Sequence, residues 1–241
     1  MLAYALAVGG GTLGAVLGTS HKRLCALISL GAGTLLGVTL FAILPETIAD
    51  LRWWQLLVAL ASGYAVFALI SKYIFHVCPA CAASHFDEAT THRFSEIATA
   101  MMFALAIHCT VDGLAMSAGK HEERSTLYAI ILAVCVHKIP EGLALGALLR
   151  GAGLSVGGII GRVVAVEFTT LIGGAVGLIF FPEVSQLWVG AALAHAAGGF
   201  VFLASHAIVG EILKHHKALV LSCFSAGVAL IGVFVLLLHL K

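Results

Sequence analysis

Long apolar runs separated by short polar links repeat along the whole chain. Eight of them approach or exceed the roughly 20 residues needed to cross about 30 Å of hydrocarbon as a helix. They run near Leu2 to Leu17, Leu24 to Leu44, Trp53 to Phe75, Ile97 to Gly119, Leu127 to Leu149, Leu154 to Phe181, Leu187 to Ile212 and Ala218 to Leu240. The pattern predicts an all-α integral membrane protein of eight transmembrane helices, forming a single transmembrane domain over residues 1–241. The first run is short and rich in glycine, and no basic region precedes it, so it reads as a short span rather than a signal peptide. Gly10, Gly14 and Gly18, and then Gly33 and Gly37, recur at four-residue spacing. That spacing lets membrane helices approach closely.

The links give the orientation, because Lys and Arg accumulate on the cytoplasmic side. One set of alternate links holds Lys22, Arg23, Lys72, Arg93, Arg150, Arg162, Lys214 and Lys217; the other holds only Arg52, Lys120, Arg124 and Lys241. Both termini are therefore expected outside the cytoplasm. The outer links also carry Glu46, Asp50, Glu122, Glu123 and Glu183, an acidic mouth that would concentrate cations. The longest polar interruption, HVCPACAASHFDEATTHRF, falls on the cytosolic side at about 76–95. Its His76, Cys78, Cys81 and His85 include one Cys-x-x-Cys, a metal-site spacing that is weak without a second pair.

Composition agrees: 61% of the 241 residues are hydrophobic and 10% are charged, where a soluble domain carries about 25% charged. A net charge of +1 leaves no basic surface for a nucleic acid. The partners expected are a lipid bilayer and small cations.

Ionisable side chains inside spans are costly unless paired or wet, which makes two nonapeptides conspicuous. HCTVDGLAM begins at His108 and HKIPEGLAL at His137. Each sets a His four residues before an acid, Asp112 or Glu141, and positions i and i+4 share a helix face. A turn centred on Arg124 and Ser125 would level His108 with Glu141 and Asp112 with His137. A centre two residues earlier would level the two histidines and spread the acids by roughly 12 Å. The compact register avoids isolated acids. Pro140 removes a helical hydrogen bond from the carbonyl of Val136 and suggests locally unwound backbone. Gly113 and Gly142 suggest an open helix surface and a site reachable from at least one side. With Glu167 in the sixth span, three carboxylates and the Lys138 ammonium leave a net −2, which one divalent cation neutralises. Imidazole and carboxylate together suit zinc, and also iron(II), manganese or cadmium.

These motifs resemble the ZIP (Zrt-, Irt-like) family of divalent-metal transporters. The resemblance rests on His108, Asp112 and Gly113 in the fourth span, His137, Pro140, Glu141 and Gly142 in the fifth, and Glu167 in the sixth. Leu44, Pro45 and Glu46 in the second and Ser205 and His206 in the seventh extend it. It implies zinc or a related metal as transported substrate, His206 as a possible exit ligand, and a homodimer in which a bundle holding the fourth and fifth helices moves. It also implies a plasma, inner or organelle membrane, and a metal-sensing or metal-releasing role for the polar loop. The chain departs from members with two adjacent metals. Cys109 and Lys138 stand where those have Asn and an acid, so Lys138 replaces a second metal and Cys109 is a weaker ligand candidate. Ala42 stands where a His or Met is common.

A membrane-embedded zinc hydrolase is the rival reading. The His-Glu-x-x-His of intramembrane metalloproteases is absent from the sequence.

Overall fold

A computed structural model describes residues 1–17, 21–73, 91–121, 123–181, 185–212 and 217–240, and among them every regular element is helical. The elements are α1 (Leu2–Leu17), α2 (His21–Val38), α3 (Leu44–Asp50), α4 (Trp53–Tyr73), α5 (Thr91–Ala118), α6 (Arg124–Gly151), α7 (Val156–Phe180), α8 (Gln186–Ile212) and α9 (Lys217–His239). Six of the described helices are long and apolar enough to cross a membrane. The other two apolar segments, Leu2–Leu17 and Leu105–Ala118, are shorter. At 1.5 Å per residue a 16-residue α1 reaches only about 24 Å.

α2 does not stop at its proline. A π-helical turn, Thr39–Ile43, joins it to α3, and Leu44 N donates to Thr39 O. Pro45 has no amide hydrogen and its ring crowds the carbonyl four residues back. Widening the preceding turn accommodates that defect and carries the helix on to Asp50.

The helices sort into two groups by their packing. α1, α5, α6 and α7 pack mainly on one another, and so do α2, α4, α8 and α9; the groups meet chiefly along α2 and α6. Glycines set the closeness within each. A side chain on Gly10 or Gly14 would overlap the carbonyl of Ile139 or Leu143 on α6, and one on Gly33 would overlap that of Phe224 on α9. The four-residue glycine spacing thus marks helix contact, as its sequence suggests; Gly18 lies outside the described residues.

The α5–α6 link is a 3-10 turn, Gly119–His121, followed by Glu123 as the residue before α6. Glu46 of α3 closes this end: its Oε1 accepts from Glu123 N at 3.2 Å and its Oε2 from Thr126 Oγ1 at 3.2 Å. A carboxylate at a helix N-terminus satisfies orphan amides and complements the helix dipole. The links after α3 and α5 therefore share one end of the bundle, as alternating spans require.

Candidate metal centre

The two repeated motifs meet face to face. His108 and Asp112 project from α5, and His137, Lys138 and Glu141 from α6, with Glu167 of α7 closing the third side; all six are buried. His108 Nε2 lies 3.5 Å from Asp112 Oδ2 and 3.4 Å from Glu141 Oε2. His137 Nε2 lies 3.2 Å from Asp112 Oδ2 and 3.7 Å from Glu141 Oε2. The cross-helix pairs are those of the compact register. A tetrahedron with bonds of about 2.0–2.1 Å to nitrogen and oxygen has edges of about 3.3–3.4 Å. The four separations bracket that edge.

The polarity of the ring atoms points the same way. His137 Nδ1 is 2.9 Å from the carbonyl of Ala133, and a carbonyl only accepts, so Nδ1 carries the hydrogen. In the neutral ring Nε2 then presents a lone pair to Asp112 and Glu141, which also present lone pairs. Lys138 Nζ, 3.0 Å from Asp112 Oδ2, relieves part of the repulsion in such an arrangement, and a cation between the groups would relieve the rest. An imidazole held through its other nitrogen by a backbone carbonyl is the usual posture of a metal-ligating histidine. His108 Nδ1, Asp112 Oδ1, Glu141 Oε2 and Glu167 Oε1 are all buried without a hydrogen-bond partner. Buried polar groups are nearly always satisfied, so Glu141 Oε2, the one of these that is a cage atom, is open to a ligand, and the other three lie on the same side chains or beside them.

Lys138 occupies the flank of the cluster. Its Nζ donates to Glu141 Oε1 at 2.8 Å and Cys109 Sγ at 2.9 Å, and it lies 3.0 Å from Asp112 Oδ2 and 3.3 Å from Glu167 Oε2. The Cys109 thiol is 3.2 Å from Glu141 Oε1 and 3.4 Å from Glu167 Oε2. Two groups of side chains therefore have metal-holding geometry: His108, Asp112, His137 and Glu141, and beside them Cys109, Glu141 and Glu167. The ammonium already sits in the second. A buried ion costs several kcal/mol unless well partnered, and a Lys shared by three acids meets that cost from both sides.

The family model for the ZIP zinc transporter matches residues 80–239, about two thirds of the chain. The chain belongs to the ZIP zinc transporter family. No curated protein matched it. The matched segment contains every residue of the buried cluster. Membership makes the apolar helices those of a membrane protein, and the family is one of divalent-metal transporters rather than of enzymes.

Three expectations from the sequence are corrected within this ZIP chain. α6 is helical without interruption from Arg124 to Gly151, so Pro140 frees one carbonyl but does not unwind the backbone. Packing by α1, α2 and α5 on α6 holds the helix together across the lost bond. Gly113 and Gly142 do not open the surface either: side chains there would overlap the carbonyls of Thr170 on α7 and Ala7 on α1. They admit neighbouring helices, and those neighbours bury the cluster, so it is enclosed rather than open to one side. His108 and His137 retain only 4% and 5% exposure.

His206 does not join either group; its ring stacks on Phe202 at 4.1 Å on α8. Ser205 Oγ, its companion in the motif, donates to the carbonyl of Phe202. His195 bonds through Nδ1 to Ser62 Oγ at 2.8 Å, an ordinary packing role. His76, Cys78, Cys81 and His85 lie outside the described residues. Two aromatic residues of the site gave no sequence signal. Phe67 of α4 sets its ring edge-on to His108 at 6.2 Å, and Phe202 stacks behind it at 6.3 Å. Each is one Phe in an apolar run, so only the packing of α4 and α8 over the cluster reveals them.

Proposed function

We propose that this ZIP protein carries zinc, one ion at a time, towards the cytosol through a site made by His108, Asp112, His137 and Glu141, with Glu167 as a neighbouring carboxylate. The observation that carries the reading is the four-atom cage, whose separations of 3.2–3.7 Å bracket a tetrahedral edge and whose His137 is held through Nδ1 by a backbone carbonyl. Zinc takes four such ligands readily; iron(II), manganese and cadmium are the alternative cargoes the donor atoms admit. Lys138 supplies the positive charge that a second metal would otherwise bring, and Cys109 serves that ammonium rather than the cargo.

The two helix groups support an alternating-access cycle in which α1, α5, α6 and α7 move as one body against α2, α4, α8 and α9. The basic links support a cytosolic side bearing the polar loop at about 76–95, where His76, Cys78, Cys81 and His85 would sense or release metal. His206 would receive the ion on its way out of the cluster. Both termini then face away from the cytosol, and family resemblance favours a homodimer in a plasma, inner or organelle membrane. A membrane-embedded zinc hydrolase finds no support in the cluster, because all four positions of the cage are filled by protein atoms and none is left for an attacking water.

Equilibrium dialysis of the purified protein against zinc tests the reading. One ion per chain is expected, falling to none in the His108→Ala, His137→Ala double variant; retention of the ion by that variant would remove the cage from the account.

A further inference from the structure

Lys138 reaches beyond charge balance into the shape of the site. Its Nζ holds Glu141 by Oε1 at 2.8 Å, while Glu141 Oε2 is the oxygen turned towards His108 Nε2 at 3.4 Å. The carboxylate is split: one oxygen belongs to the ammonium and the other faces the cage. Chelation by both oxygens, by which a carboxylate adds a fifth or sixth ligand atom, would require Glu141 to leave Lys138. The ammonium is fully buried and also lies 3.0 Å from Asp112 Oδ2. A cation on that flank donates but never coordinates. Among the described residues, Asp112 Oδ1 and Glu167 Oε1, both buried and without a hydrogen-bond partner, are the further carboxylate oxygens beside the cage.

From this geometry we infer that Lys138 is a specificity-determining residue: by keeping Glu141 monodentate it holds the cage to four ligands and selects tetrahedral ions such as zinc over ions that demand six. Zinc and cobalt(II) accept four N and O ligands, whereas manganese and magnesium favour octahedral oxygen-rich shells. The inference rests on the cage being the cargo site. It adds that the discrimination among divalent metals comes from a residue that touches none of them.

Cobalt(II) reports coordination number directly, since four-coordinate cobalt(II) absorbs far more strongly in the visible than six-coordinate cobalt(II). The probe is cobalt(II) chloride added to the purified full-length protein, read beside manganese competition against zinc binding. The unmodified protein is expected to give the intense four-coordinate spectrum. Lys138→Met, which keeps length but frees Glu141 Oε1, is expected to give the weak spectrum of a higher coordination number. Its preference for zinc over manganese should narrow by about tenfold or more, the order expected when coordination geometry no longer discriminates. The same intense spectrum in Lys138→Met, with unchanged manganese competition, would overturn the role given to Lys138. A weak six-coordinate spectrum in the unmodified protein, displaced by zinc and lost in His137→Ala, would overturn the four-ligand inference while leaving the cargo site standing. Cobalt binding that survives His137→Ala would instead remove the cargo site. Should Lys138→Met fail to fold, Lys138→Gln is read by the same spectrum and the same manganese competition, with the same two outcomes.

Discussion

His137→Ala and Glu141→Ala are each expected to lower zinc uptake by at least about 100-fold, and His108→Ala and Asp112→Ala to do the same. Loss of an outer-shell partner already costs 10–100-fold in metal affinity, and these four residues supply the cage atoms themselves. Each substitution also leaves its partners worse off. Removing Glu141 strips Lys138 of its shortest contact, at 2.8 Å, and removes one of the two acceptor oxygens facing His108. Removing His137 leaves Asp112 Oδ2 with His108 and Lys138 alone. Because folding could fail along with transport, uptake is measured per folded chain, with monodispersity in detergent as the check. Near-normal uptake by a well-folded Glu141→Ala protein would contradict the assignment.

Lys138→Asp is expected to change the metal content from one ion per chain to two. The ammonium stands among Cys109 Sγ, Glu141 Oε1 and Glu167 Oε2, so an acid at its position completes a second set of donors directly beside the first. The formal charge of the cluster moves from −2 to −4, the value two divalent ions neutralise. With Lys138 in place, a second cation would lie against a fixed positive charge in a low-dielectric interior, a repulsion of several kcal/mol at an effective dielectric of about 20. Crystals of both proteins soaked in cadmium distinguish the cases by anomalous scattering. One central peak is expected for Lys138 and two, close enough to share Glu141, for Lys138→Asp. Two full peaks in the unmodified protein would show that the ammonium does not exclude the second ion.

The chemistry of the site was more legible in the sequence than its packing. Spacing of four residues puts a His and an acid on one face in any helix, so the halves of the cage follow from HCTVD and HKIPE once those stretches are helical. Their registration followed from the cost of isolated acids, and the contacts found are those of the compact alternative. The link itself is Gly119–His121 and α6 begins at Arg124, so the mirror centre on Arg124 and Ser125 falls inside the first turn of α6. A mirror centred on Arg124 and Ser125 assumes uniform rise and parallel axes. The 3-10 turn rises about 2.0 Å per residue instead of 1.5, and side chains several atoms long meet across a crossing without being strictly level.

Other features depended on which neighbour lies opposite, which no single helix records. Gly142 faces the backbone of α1 and Gly113 that of α7, so both join helices instead of exposing a surface. Pro140 suggests locally unwound backbone because its own chemistry removes a hydrogen bond, yet α6, packed by helices on several sides, is regular across it. Pro45, with the same chemistry, does perturb its helix, through the π turn at Thr39–Ile43. Lys138 was legible as a charge within the motif, yet its splitting of the Glu141 carboxylate required coordinates. Phe67 and Phe202 carried no mark at all.

The most direct measurement is zinc entry into lipid vesicles that contain the purified protein and a zinc-sensitive dye sealed inside. The account predicts a saturable signal that exceeds protein-free vesicles and disappears in the His108→Ala, His137→Ala double variant. A protein that binds one zinc per chain yet admits no more than protein-free vesicles would contradict it, leaving the buried cage as a structural metal site.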